Sequence, residues 1–113
     1  MPIRSTTPLA ERDAARRRRR LAVYEETRSR LKGVLAELIP GHRVIVFGSL
    51  TQPGTFNDRS DIDLAFETEP PQMSQYRLIS LLMERMGRPV DVILLEKSRL
   101  RAKILREGEI WIA

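Results

Sequence analysis

The 113-residue sequence contains no cysteine and only one histidine, His42. Disulfides and thiolate metal sites are therefore excluded, and a lone histidine gives no basis for a zinc site. The absence of cysteine fits a reducing compartment, so we expect a cytoplasmic protein.

Long apolar segments are also missing from the sequence. A membrane-spanning helix needs about 18 or more consecutive apolar residues, so we expect no membrane partner. The arginine-rich N-terminus is not followed by an apolar segment, which argues against a secretory signal. The chain length suits one domain of about 100–150 residues.

The positive charge of the chain is concentrated in its first third. Residues 1–32 contain ten Lys or Arg and four acidic residues, whereas residues 33–113 contain ten basic and eleven acidic residues. The run Arg16–Arg20 makes a nucleic-acid contact one hypothesis, because clustered cations bind phosphates. Five consecutive arginines spread around a helix, however, and no aromatic side chains accompany them. A solvated helix or a contact with an acidic partner is therefore favoured.

The pattern of helix formers and apolar runs divides the chain into three parts. Residues 1–8 are expected to be flexible, residues 9–39 to form a long basic helix, and residues 40–113 to form the core. The core is predicted to contain strands at 43–49, 60–68 and 89–96, helices at 72–87 and 97–108, and a C-terminal edge strand. This order predicts an α/β or α+β fold: a small mixed sheet of about four strands, with helices packed mainly on one side.

Spacings of three and four residues predict which helical side chains face the core. The first helix has an apolar stripe that is interrupted by an arginine at position 28. The residues predicted to face inward are Leu21, Tyr24, Leu31, Leu35 and Leu38 in the first helix; Tyr76, Ile79, Leu82, Met83 and Met86 in the second; and Leu100, Ile104 and Leu105 in the last.

Three aspartates lie within segments that otherwise have core composition. Asp61 and Asp63 alternate with Ile62, which places both carboxylates on one face of the strand, roughly 6–7 Å apart. Asp91 lies within the apolar segment "PVDVILL". An unpaired carboxylate in such a setting costs several kcal/mol, and neighbouring carboxylates also repel one another.

Two kinds of partner can stabilise these acids, arginines or divalent cations. Arg43, Arg59 and Arg88 lie only at the margins of the predicted strands. A set of carboxylate oxygens suits Mg²⁺ or Mn²⁺, and two such ions can activate phosphoryl transfer. The alternatives are a solvent-facing strand edge and simple salt bridges. We favour a metal site formed by all three aspartates.

Gly48 and Ser49 directly follow the first predicted strand. A glycine at a sharp turn allows a phosphate to approach backbone N–H groups, and the serine hydroxyl adds a donor. By itself a Gly-Ser pair is more often an ordinary turn. Its combination with the two aspartates about a dozen residues later, and with Asp91, is far more specific.

This combination resembles the nucleotidyltransferase superfamily of the DNA-polymerase-β kind, and the ending "ILREGEIWIA" resembles its minimal, single-domain branch, the MNT proteins. The resemblance implies a polymerase-β-like core and carries phosphate binding to Gly48 and Ser49. It carries metal binding and catalysis to Asp61, Asp63 and Asp91.

MNT proteins are usually encoded beside a HEPT partner. The resemblance therefore implies an antitoxin that forms a hetero-oligomer with a HEPT toxin and transfers AMP from ATP, with Mg²⁺, to a toxin tyrosine. Many relatives carry an arginine where this chain has Thr51 and Gln52. The alternative is a catalytically degenerate antitoxin that neutralises its partner by binding alone.

Overall fold

A computed structural model describes residues 8–113 of the chain. Within this range the elements occur in the predicted order of helices and strands, and the predicted fold class is confirmed. Their bounds are α1 Pro8–Leu38, β1 Arg43–Phe47, β2 Ile62–Phe66, α2 Gln75–Met86, β3 Val90–Leu94, α3 Arg101–Glu107 and β4 Glu109–Ile112, with 3₁₀ turns at Gly48–Thr51 and Leu95–Lys97.

The four strands form one mixed sheet in the order β3-β2-β1-β4. Strand β1 pairs antiparallel with both β2 and β4, whereas β2 and β3 run parallel. The parallel pair is connected through α2, as parallel strands require a crossover. The predicted C-terminal edge strand is confirmed as β4.

The two faces of the sheet carry different helices. Alternate strand residues such as Val46, Leu64 and Val90 belong to the main core, which they share with α1 and α2. The residues between them, such as Ile45 and Ala65, belong to a smaller cluster with Ile104 of α3. The two longer helices thus share one face, and the short α3 packs on the other.

The face predicted for the long helix α1 is confirmed except at its start: Leu31 and Leu35 are buried, and Tyr24 and Leu38 pack against the core. Its buried residues are Val23, Thr27, Leu31, Val34 and Leu35, and Leu21 is 46% exposed. The buried row thus begins at Val23, two residues after the predicted start. Periodicity identified a helix here but could not locate where the sheet begins to cover it.

The inward faces predicted for α2 and α3 need similar corrections. Helix α2 buries the row Leu78, Leu82 and Met86, spaced by four residues, while Tyr76 and Met83 are exposed. In α3 only Ile104 is buried, and Leu100 and Leu105 are exposed. Both helices touch the core along a single narrow row, whereas the prediction assumed a broader apolar face.

Local signals explain where α2 begins and ends. The side chain of Ser74 accepts a hydrogen bond from Arg77 N–H, which caps the first turn. The helix therefore starts three residues later than predicted. Gly87 has φ +67° and ends the helix in the left-handed conformation, as expected from its position.

Part of the chain lies outside this description. The prediction of a flexible segment at 1–8 falls on residues outside the described range, except for Pro8, where α1 begins. Among residues 8–113, no helix has both the length and the apolar character required to cross a membrane.

Candidate active site

The end of β1 turns sharply at Gly48. Its φ of +72° lies in the left-handed region, where a side chain is disfavoured. The chain then enters the 3₁₀ turn Gly48–Thr51, in which Thr51 Oγ1 donates a 2.7 Å hydrogen bond to the carbonyl oxygen of Gly48. A sharp turn is therefore present after the first strand, as expected from the glycine, with Ser49 inside it.

Gly48 also lies directly against a carboxylate. A Cβ atom at this position would collide with Oδ2 of Asp63 and lie 3.3 Å from its Cγ. The absence of a side chain therefore allows the turn after β1 and the carboxylate on β2 to approach each other. The sequence suggested glycine here for phosphate access, and the structure adds this second requirement.

Strand register brings two of the three predicted acids together. Asp63 on β2 is the partner of Phe47 on one side and of Asp91 on the other. Side chains alternate along a strand, so Asp63 and Asp91 share the sheet face that carries α3. Asp61 directly precedes β2, which begins at Ile62 and is thus shorter than the predicted strand. We call the end of the sheet formed by these residues the catalytic edge.

The catalytic edge has an excess of negative charge. Partial burial raises the pKa of the Asp63 carboxyl, and the negative charges of Asp91 and Asp61 raise it further. Among residues 8–113, none of the three aspartates forms an ion pair. Arginine pairing therefore does not explain how these acids are tolerated.

Arg88, one of the arginines considered as a partner of the aspartates, has a different structural role. Its Nη1 donates hydrogen bonds to the carbonyl oxygens of Asn57 (3.1 Å) and Ser60 (2.9 Å), and its guanidinium lies 4.7 Å from the ring centre of Phe56. Burial lowers the pKa of Arg88, while the charges of Asp58 and Asp61 oppose that change. Arg88 thus holds the loop that leads to the first aspartate.

The metal-binding role of the aspartates stays a prediction. Within the described part of the chain, no three acidic or histidine side chains are gathered closely enough to hold a metal ion as they stand. The donor set itself fits a divalent cation: carboxylate oxygens are the ligands of Mg²⁺. The raised pKa of Asp63 also indicates negative charge that lacks compensation.

Arg28 is a positioning residue that the sequence showed only as an interruption of an apolar stripe. Its Nη1 donates to the carbonyl oxygen of Leu50 at 2.8 Å, and its Nη2 donates to Glu109 at 2.6 Å. The guanidinium lies 5.0 Å from the ring centre of Tyr24 and 5.1 Å from that of Trp111. One side chain of α1 therefore joins the turn after β1 to the edge strand β4.

A cavity of about 450 Å³ lies beside the turn, between it and α3. Among residues 8–113, Lys103 is the cationic side chain and Glu107 the acidic side chain that line it, and Asp63 is not part of its wall. No feature of the sequence singled out this lysine, because it lies in an ordinary basic helix. The lining residues are Phe47, Gly48, Thr51, Gln52, Leu100, Lys103, Ile104 and Glu107.

Comparison with known proteins identifies the class. The family model described as "Polymerase beta, Nucleotidyltransferase" matches residues 30–112, and the chain belongs to this nucleotidyltransferase family. The matched region includes the turn at Gly48 and all three aspartates. It also includes the last part of α1.

One solved structure extends the comparison to the fold. The structure described as "Crystal structure of the toxin-antitoxin with AMP-PNP" is similar to this chain with a TM-score of 0.56 and 23% sequence identity. The similarity covers 75% of this chain and 73% of that one. No curated protein matches the sequence.

Proposed function

We propose that this protein is an antitoxin-type nucleotidyltransferase that transfers AMP from ATP to a tyrosine hydroxyl of a HEPT-type toxin. Membership in the polymerase-β nucleotidyltransferase family supports the reaction class. The fold similarity to a toxin-antitoxin structure with AMP-PNP supports the biological setting. The observation that carries the proposal is the contact of Gly48 with Asp63, which is itself in register with Asp91.

The proposed roles follow from position. The turn Gly48–Thr51 presents backbone N–H groups and the Ser49 hydroxyl to the phosphates of the nucleotide. Arg28 holds that turn through the carbonyl of Leu50. The cavity beside the turn offers space for another part of the nucleotide, with Lys103 available to compensate its charge.

The reaction forms a bond between the tyrosine oxygen and the α-phosphorus of ATP, and the bond to the β-phosphate breaks. Pyrophosphate leaves with the electron pair of that bond. Asp91 is proposed to accept the proton of the tyrosine hydroxyl, the role that the family resemblance implies for the third carboxylate. Asp61, Asp63 and Asp91 would hold divalent cations, which supply charge stabilisation for the attacking and leaving oxygens.

Mass spectrometry tests the proposal directly. The purified protein, MgATP and the protein encoded by the adjacent gene are expected to give a partner whose mass rises by whole AMP increments, on tyrosine. The double variant Asp61→Asn/Asp63→Asn should abolish the adduct. Full activity of this variant would refute the assigned site.

A matched control is available at the other end of β2. Glu67 and Glu69 are also two acids spaced by two residues, but they follow the strand instead of preceding it. The double variant Glu67→Gln/Glu69→Gln removes the same formal charge and should retain AMP transfer. Equal loss in both double variants would indicate a general charge effect.

A second candidate function is neutralisation by binding alone. It is favoured by the absence of a preformed three-acid metal cluster among residues 8–113. It is also favoured by Thr51 and Gln52, which stand where many proteins of the resembled family carry an arginine. Mixing the protein and its partner without nucleotide separates the two functions. A pure binder neutralises the toxin under these conditions, and its double aspartate variant does so equally well.

A further inference from the structure

The N-terminal half of α1 extends beyond the folded core. No residue of α1 before Val23 is buried, so residues 8–22, the arginine arm, project over about 22 Å at the helical rise. The radius of gyration is 17.3 Å, compared with about 13 Å for a compact chain of this length. An exposed arm of this kind adds little to the core.

The arginine arm contains more positive charge than its surroundings neutralise. It has six arginines and two acidic residues. Arg19 forms a 2.8 Å ion pair with Asp58, and Arg16 lies 3.9 Å from Asp13. Among residues 8–113, four arginines of the arm form no ion pair: Arg12, Arg17, Arg18 and Arg20. Like charges four residues apart destabilise an isolated helix, so a partner of opposite charge would stabilise the arm.

One side of the arm borders the loop that leads to the catalytic edge. Arg16, Arg19 and Arg20 line a hollow of about 490 Å³ together with Asn57 and Asp58, which belong to the loop leading to the first aspartate of the site. The ion pair of Arg19 joins the arm to this loop. A molecule bound in the hollow would therefore contact the loop that leads to Asp61.

The arginines of this side include an unused donor. The Nε of Arg20 is buried and has no hydrogen-bond partner within the described residues. Arg17 and Arg18 do not line the hollow. Successive residues of a helix are separated by about 100°, so these two arginines project from other sides. The arm therefore has one side that faces the hollow and others that face solvent.

We infer that the arginine arm is the docking surface for the acceptor protein, which binds it through an acidic face and so brings its hydroxyl to the catalytic edge. Guanidinium groups pair with carboxylates through two parallel hydrogen bonds, which supplies both attraction and orientation. A protein is favoured over a nucleic acid because residues 8–22 contain no aromatic side chain on which bases could stack. The identity of the acceptor rests on the proposed function.

Two charge-reversal variants of equal charge test this assignment. Arg16→Glu/Arg20→Glu changes the side that faces the hollow, and Arg17→Glu/Arg18→Glu changes the other sides. The measurements are the Kd for the adjacent-gene protein by calorimetry at two salt concentrations, the KM for that protein in AMP transfer, and the Kd for MgATP. Circular dichroism verifies that both variants keep α1 helical.

We expect the Arg16/Arg20 variant to bind the acceptor at least about tenfold more weakly, with a smaller salt dependence, and to raise its KM without changing the Kd for MgATP. The Arg17/Arg18 variant should show a clearly smaller loss. Equal effects of both variants, no effect of either, or no binding of the acceptor to the wild-type protein would overturn the inference. So would tighter binding of a 20-nucleotide single-stranded RNA than of the acceptor.

The calorimetric Kd separates this inference from the proposed function. If the acceptor binds through the Arg16 side but gains no AMP, the transfer reaction is wrong and the docking surface stands. If AMP is transferred and the Arg16/Arg20 variant is unaffected, the docking surface is wrong and the enzymatic function stands.

Discussion

Substituting Gly48 by alanine tests the contact on which the proposed site depends. The new Cβ would collide with Oδ2 of Asp63, so the turn and the carboxylate cannot both keep their positions. Gly87 is a matched control, because its φ of +67° is close to the +72° of Gly48 and a Cβ there would meet nothing within 4 Å. Gly87→Ala therefore lowers the free energy of unfolding only through the backbone conformation.

The expected magnitudes follow from these two contributions. A left-handed conformation costs a residue with a side chain about 1–2 kcal/mol, which applies to both variants. Forcing Asp63 away from its preferred rotamer adds about 0.5–1.5 kcal/mol in Gly48→Ala only. At about 4 °C per kcal/mol for a domain of this size, Gly48→Ala should melt a few degrees below Gly87→Ala.

A double-mutant cycle of Gly48 and Asp63, with stabilities measured by urea denaturation, gives the coupling free energy of this contact. In an Asp63→Ala background the obstructing carboxylate is gone, so Gly48→Ala should then cost no more than Gly87→Ala. The coupling free energy should be about 1 kcal/mol. AMP transfer should fall about 100-fold in Gly48→Ala and persist in Gly87→Ala, because a displacement of about 1 Å at a reacting group has that effect. Equal stabilities of the two glycine variants with zero coupling would refute this reasoning.

Three further predictions concern other side chains. Asp63→Asn should raise the free energy of unfolding at neutral pH without divalent ions, because the raised pKa of Asp63 means that its charged form is disfavoured in the fold. This gain should vanish below the ordinary pKa of about 3.9. A loss of stability in urea titrations would contradict the prediction. Arg28→Ala should lower the free energy of unfolding by about 1.5–3 kcal/mol. The hydrogen bond from Arg28 lowers the pKa of Glu109, so the pair stabilises the fold above pH 4.5. This stabilisation is lost as the pH falls through the lowered pKa. Unchanged acid sensitivity of the Arg28→Ala protein would argue against the pair. Lys103→Ala should weaken ATP binding about tenfold or more in equilibrium dialysis while leaving the melting temperature unchanged, and unchanged binding would place the nucleotide elsewhere.

Much of the fold was predictable because its signals are local. Apolar runs rich in β-branched residues identified the strands, and the break at Pro40-Gly41 marked the end of the long helix. The buried faces of the helices were predicted less well. Tyr76 and Met83 have the spacing of core residues, yet the short row of contacts along α2 leaves both exposed. Periodicity describes a helix, whereas burial depends on what packs against it.

The candidate site likewise combines features that the sequence predicted with contacts that only the structure shows. The spacing of Asp61 and Asp63 and the glycine after the first strand were visible in the sequence. Arg28 was visible only as a flaw in an apolar stripe, and its hydrogen bonds to Leu50 and Glu109 join residues that are far apart in the chain. No local pattern reports such partners. The cavity lined by Lys103 likewise exists only because α3 packs beside the turn.

The sequence by itself determined the order of the elements and the left-handed turn that glycine permits at position 48. These properties depend on backbone preferences and alternation over a few residues. Tertiary structure alone decided that β3 lies beside β2, which places Asp91 next to Asp63, and that the arginine arm borders the loop that leads to Asp61. Strand order and helix docking are selected by burial and hydrogen bonding between distant segments, and short-range patterns do not encode these pairings.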